Sequence, residues 1–170
     1  ETAKSALTIA SYAEASMPRL AGLGWSAGGL EAALGATRSR EPKGSWAEPF
    51  RFVRGQTLLT AHACGVMALE AMHDDSEDVK GVKLAAKAAR ADGFTGMFAN
   101  HPAQIAEINA AFTPSEAELE EARRIVYAFE GADEGEPTPI DRRRVDMPRL
   151  KHAKQLLGAS EARQSDLTPM

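Results

Sequence analysis

The chain is short of several features that would announce a class of protein. It has a single cysteine, Cys64, in 170 residues, which excludes an intramolecular disulfide and fits a reducing compartment. No apolar run approaches the roughly 20 residues of a membrane span and no signal-peptide pattern opens the chain, so the cytoplasm is the default expectation. Charge of one sign is lacking too. Twenty basic residues against 24 acidic ones leave a net charge of -4, the basic residues are scattered, and nothing in that balance would draw nucleic acid. No internal repeat is present. What the chain does have is 44% hydrophobic content, enough for one globular domain with a real core. It opens at Glu1 in mid-pattern, without an initiator methionine, which reads as a fragment, a processed product or a chain whose earlier residues are missing.

Periodicity and punctuation predict alternating strands and helices. Alanines and Leu7 at helical spacing predict a helix over 2–15, broken at Met17 and Pro18. Residues 20–25 read as a short strand, Gly28 and Gly29 as a turn, 30–34 as a short helix, and the polar stretch 37–46, with Pro42 and Gly44, as a surface loop. A long helix follows Pro49, burying Phe52, Val53, Leu58, Leu59 and Ala63 and stopping at Gly65. Residues 66–69 read as a strand, 82–91 as a helix with Asp78 as its cap, and 93–99 as an apolar, glycine-broken strand. His101 and Pro102 end that strand and open a helix over 103–111. Thr113 with Glu116 predicts a second helix start, with an apolar stripe at Leu119, Ala122, Ile125, Val126 and Phe129 and a stop at Gly131. Strands separated by helices at this spacing predict parallel pairing through right-handed crossovers. Residues 131–139 have a linker's composition, a further helix is expected over 148–157, and 158–170 reads as a polar, disordered tail.

The string Gly93-Phe94-Thr95-Gly96, His101-Pro102-Ala103-Gln104-Ile105, Phe112-Thr113-Pro114-Ser115 and Ala122-Arg123-Arg124 resembles the C-terminal part of the citrate lyase beta subunit family, which includes malyl-CoA lyases and related aldolases. The resemblance extends over roughly residues 1 to 157. It implies the C-terminal half of a (β/α)8 TIM barrel over 1–130, a linker over 131–139, and a C-terminal helical lid over 140–157. A complete barrel usually needs about 250 residues, more than this chain has. The implied function is carbon–carbon lyase or aldolase chemistry on a hydroxyacyl-CoA thioester or a small hydroxy acid with Mg2+. The implied assembly is a homotrimer or larger.

The resemblance also assigns residues. It makes Glu1 a magnesium ligand at the end of a barrel strand, where a carboxylate is well placed for an oxygen-loving cation. The alternative is a solvated terminal residue. It aligns Gly29 with the second metal-ligating aspartate and Gly28 with a glutamate, which breaks the two-carboxylate site. Glu70 stands where the family has aspartate, so it is a metal-ligand candidate, or a solvated acid. Met97 replaces a lysine and Asn100 an aliphatic residue. The loop carrying Met97, Phe98 and His101 is implied to border the coenzyme A site, although a lone histidine before proline also reads as a helix cap. Asp146 resembles the lid aspartate that reaches a neighbouring subunit's active site, and it reads equally well as a helix cap ahead of Pro148. The competing function is a homologue with a degenerate metal site that keeps the fold for binding or assembly.

Overall fold

The computed structural model describes residues 2–130, 139–140, 143–144 and 146–166. They fall into two compact units, 1–112 and 113–170.

In the first unit, helix α1 (Ala3–Thr8) begins at a reciprocal cap between Thr2 and Ser5 and passes into a 3-10 turn, Ile9–Ala13. The single helix expected over 2–15 is therefore interrupted. The Thr8 hydroxyl donates to the Lys4 carbonyl at 3.0 Å and the Ser11 hydroxyl to Thr8 O at 2.8 Å, so side chains compete with the amide ladder. Strands β1 (Gly22–Gly24), β2 (Met67–Glu70) and β3 (Gly96–Met97) form a parallel sheet in the order β1-β2-β3, with Gly24 opposite Leu69 and Glu70 opposite Met97. Helix α2 (Ala27–Leu34) and helix α3 (Glu48–Cys64) lie between the first two strands, and helix α4 (Val79–Asp92) between the second and third. Gly28 and Gly29 are not a turn: they sit in the first turn of α2, where Gly29 N donates to the capping Ser26 Oγ at 3.1 Å. Gly65, at φ +68°, ends α3, and Asp78 caps α4 through Gly81 N at 2.8 Å. Helix α5 (Pro102–Phe112) closes the unit.

Period-two alternation sorts the strand residues onto two faces. Leu23, Ala68, Glu70 and Met97 face the helices. Gly22, Gly24, Met67, Leu69 and Gly96 face the other way, where Met67 is half-exposed. The core lies on the helical side, built from Phe50 and Val53 of α3, Val82, Ala86 and Ala89 of α4, Phe94, and Ile108 and Phe112 of α5. The buried stripe of α3 runs Phe50, Val53, Thr57, Thr60 and Ala61, whereas Phe52 and Leu59, expected in the core, are exposed. Thr57 can lie inside because its hydroxyl donates to Val53 O at 3.0 Å, which removes the cost of burying it.

In the second unit, helix α6 (Glu116–Glu130) and helix α7 (Met147–Asp166) pack through Ala122, Ile125 and Ala153, flanked by Val126, Phe129, Leu156 and Leu157. The cap of α6 is Ser115, not Thr113. Glu118 N donates to Ser115 Oγ while Glu118 Oε2 accepts from Ser115 N at 2.7 Å, the same reciprocal device two residues on. Strands β4 (Pro139–Ile140) and β5 (Arg143–Arg144) pair antiparallel. Helix α7 runs to Asp166, through residues expected to be disordered, because Ala159, Glu161, Ala162, Arg163 and Gln164 are good helix formers and no proline intervenes. The Gly131 stop and nearly all of the expected linker lie outside the described residues.

Candidate active-site rim

In a parallel sheet all strands end on one side, and functional groups of α/β folds collect there. Here that side carries Trp25 and Ser26 after β1, Glu70 and Ala71 at the end of β2, and the segment from Phe98 to His101 after β3.

Glu70, the metal-ligand candidate, is buried and turned toward the helices. Its Oε1 accepts from Trp25 Nε1 at 2.7 Å and from Ala71 N at 2.9 Å, and its Oε2 accepts from Arg54 Nε at 2.6 Å. Arg54 reaches on to Asp92 at 2.8 Å and lies 4.7 Å from the Phe94 ring centroid. Both carboxylate oxygens are thus engaged by protein donors inside the sheet–helix layer. The solvated alternative fails equally. Met97 shares that face and packs against the core, so its side chain does not face the open side of the sheet.

Phe98 does face it. Its backbone N–H donates to Glu70 O at 3.1 Å, and its half-exposed ring covers Gly24, where an added methyl would lie 2.8 Å from Cζ. Beyond it, His101 Nδ1 accepts from Ala103 N at 3.2 Å, the geometry of a helix cap. Gln104, fully buried, braces the rim. Its Oε1 accepts from Asn100 N at 3.1 Å, and its Nε2 donates to His73 O and Asp75 O at 3.3 Å. Asn100 Nδ2 donates to His73 O and Asp74 O at 2.9 and 3.0 Å. The loops after β2 and β3 are stitched together by these two amides. Sequence reasoning quoted Gln104 as part of a motif and missed its role, although its place one turn before Ile108 on the inward stripe of α5 signals a buried, bonded amide. Trp25 and Arg54 were missed without any such signal.

Two groups here have displaced ionisation. Asp78 is held below the usual carboxylate range, first by the Gly81 amide and then by His73, which lies 3.3 Å away. Arg40 is lowered by desolvation against its neighbours, offset by the charges of Glu70 and Asp74.

Asp146 belongs to the second unit, where its Oδ1 accepts from Arg149 N at 3.1 Å and caps α7. Glu1 lies outside the described residues. No group of three or more acidic, histidine or cysteine side chains fit to hold a metal occurs among the described residues. Gly29 offers only a capping amide and Glu70 is already satisfied, so these residues do not make a magnesium site. No described helix is long and apolar enough to cross a membrane.

Parallel strands joined by crossover helices, with the rim at their C-terminal ends, define part of a (β/α)8 barrel. The CitE protein of Mycobacterium tuberculosis, solved with magnesium, acetoacetate and coenzyme A, superposes with a TM-score of 0.80 at 36% identity, over 94% of this chain and 58% of that one. A citrate lyase subunit beta-like protein of the same organism is 38% identical over 157 residues, 92% of this chain and 56% of its own length. A (3S)-malyl-CoA thioesterase of Cereibacter sphaeroides is 32% identical over 95% of this chain and 55% of its own length. No family model matches the chain. The chain belongs to the citrate lyase beta subunit-like family, and it spans about half the length of the curated relatives it matches.

Proposed function

We propose that this chain supplies the C-terminal half of a barrel that makes or breaks a carbon–carbon bond in a hydroxyacyl-CoA thioester or a small hydroxy acid, with Mg2+ as cofactor. The observation that carries this reading is the likeness, at 36% identity and a TM-score of 0.80, to a protein solved with magnesium, acetoacetate and coenzyme A. On this reading Phe98 and His101 border the coenzyme, and Gln104 with Asn100 holds that border rigid. Glu1, with residues other than those described, would hold the metal, which would polarise the substrate carbonyl. Asp146 closes over a neighbouring subunit in a trimer or larger assembly. The open apolar groove along α7, formed by Met147, Pro148 and Leu150 beside Lys151 and Lys154, supports such docking.

A second reading, a non-catalytic homologue kept for binding or assembly, draws on Gly28, Gly29 and the occupied carboxylate of Glu70. Incubating the full chain with (3S)-malyl-CoA and magnesium separates the two. Release of an acyl-CoA with a 2-oxo acid supports the lyase, and release of free coenzyme A with malate supports a thioesterase. Binding of malyl-CoA without turnover supports the second reading. Sedimentation of the same sample checks the assembly.

A further inference from the structure

The segment between α2 and α3 was expected to be a plain surface loop, yet it is a built hairpin. Arg40 bridges Trp46 antiparallel, with Glu41 N donating to Ser45 O at 2.8 Å, Ala47 N to Ser39 O at 2.9 Å and Gly44 N to Glu41 O at 2.8 Å. The hairpin holds the Arg40 guanidinium 3.5 Å from the centroid of the Trp46 ring, and Arg40 Nη1 donates to Gly44 O at 2.9 Å. Trp46 meets Trp25 edge to face at 4.9 Å and stacks on Phe50 at 6.4 Å, and Trp25 is in turn held by Glu70. A chain of contacts therefore runs from the end of β2 through two tryptophans to one arginine.

That arginine is unlike its neighbours. Arg38 pairs with Glu41, Arg51 with Glu48, and Arg54 with Glu70 and Asp92. Among the described residues Arg40 makes no ion pair, and no acceptor meets its Nε or Nη2. Its exposed face leaves a fork of N–H donors open, in a position set by the tryptophan pair. A guanidinium whose orientation is already fixed loses little entropy when it binds a planar or tetrahedral oxyanion with two parallel hydrogen bonds.

We infer that Arg40 is an anion-recognition residue at the rim, taking a phosphate or carboxylate group of a ligand, with Trp46, Trp25 and Glu70 as its positioning residues. The shared chemistry is an oxyanion met by a stacked guanidinium fork. The inference stands on the hairpin's geometry and does not depend on the lyase reading.

The chain's two tryptophans are both in this network, so their fluorescence reports occupancy. The full chain is titrated with inorganic phosphate and, separately, with sodium acetate, each against sodium chloride at matched ionic strength. The expected result is a saturable change with at least one oxyanion. A response to phosphate alone identifies a phosphate-bearing ligand, and one to acetate a carboxylate. Arg40→Gln should raise the apparent Kd at least tenfold, Arg40→Lys should raise it less because the charge persists without the fork, and Lys43→Gln, in the same hairpin, should leave it within twofold. Unchanged thermal unfolding of the variants confirms that the hairpin is intact. Absence of a saturable response to either anion, a response that survives Arg40→Gln, or an equal loss in Lys43→Gln would each overturn the proposal.

Discussion

Replacing Arg54 by methionine tests the centre of the first unit. The Arg54 side chain is 16% exposed and that of Glu70 6%, so the substitution leaves a carboxylate in the sheet–helix layer with one of its oxygens stripped of its donor. Removing one member of a buried ion pair costs about 3–5 kcal/mol, because the remaining charge has lost its compensation. Glu70 keeps Trp25 Nε1 and Ala71 N on its other oxygen, and Asp92 is half-exposed and returns to water. Both moderate the loss, so the expected value lies near the lower bound, about 3 kcal/mol. The contact with Phe94 adds little, since a methionine thioether also packs well against a ring. Adding Glu70→Gln removes the stranded charge while still offering Trp25 an acceptor, so the double variant should recover about 1–2 kcal/mol relative to Arg54→Met. Urea unfolding of the four proteins gives the cycle, with unchanged m-values as the condition for comparing midpoints. A loss below about 1 kcal/mol for Arg54→Met, or a double variant that costs the sum of the two single ones, would refute the claim that this pair is buried and coupled.

Three further outcomes are expected. Gln104→Ala should cost about 2 kcal/mol by stranding Asn100 N and the Asp75 carbonyl, while His73 O keeps Asn100 Nδ2, and amide exchange at Asn100 should speed up while that within α6 does not change. Asp146→Ala should destabilise α7 by about 1 kcal/mol whereas Asp146→Asn should be nearly neutral, as urea midpoints will show; if Asp146 also acts over a neighbouring subunit, Asp146→Asn should lose turnover at unchanged stability. Asp78 ionises below its ordinary value of 3.8, chiefly through the Gly81 amide. Its contribution to stability is therefore complete above that value and is lost as pH falls through the depressed one, so the stability gap to Asp78→Asn should be flat from neutrality to about pH 4 and should change only in stronger acid.

Much of the architecture was legible because it is encoded locally. Gly65 reads as a stop since only a residue without a side chain adopts its positive φ cheaply, and Asp78 reads as a cap since its oxygen reaches an amide three residues on. Alternation of short apolar runs with helical spacing was enough to place three parallel strands with their crossovers, and the motif string around His101 was enough to name the family. The errors were those of faces and partners. Size made Phe52 and Leu59 look buried, and nothing in the sequence singled out Thr57 and Thr60, which lie inside, because the inward stripe of a helix is chosen by the sheet it meets. The Ser115 cap replaced Thr113 for a related reason: both positions carry a hydroxyl and a suitable acid three residues later, and only the folded backbone selects between them.

Glu70 shows the limit most clearly. That a carboxylate ends the second strand is plain in the sequence, and so is its likeness to a metal-ligand position. Which way it points depends on the pleat of β2, and what it touches depends on Arg54 sixteen residues earlier and Trp25 forty-five residues earlier. Composition and periodicity determine which segments become strands and helices, since those preferences act within a few residues. The role of a charged side chain is set by the dielectric and the partners at its position, and these come into being only when distant segments pack.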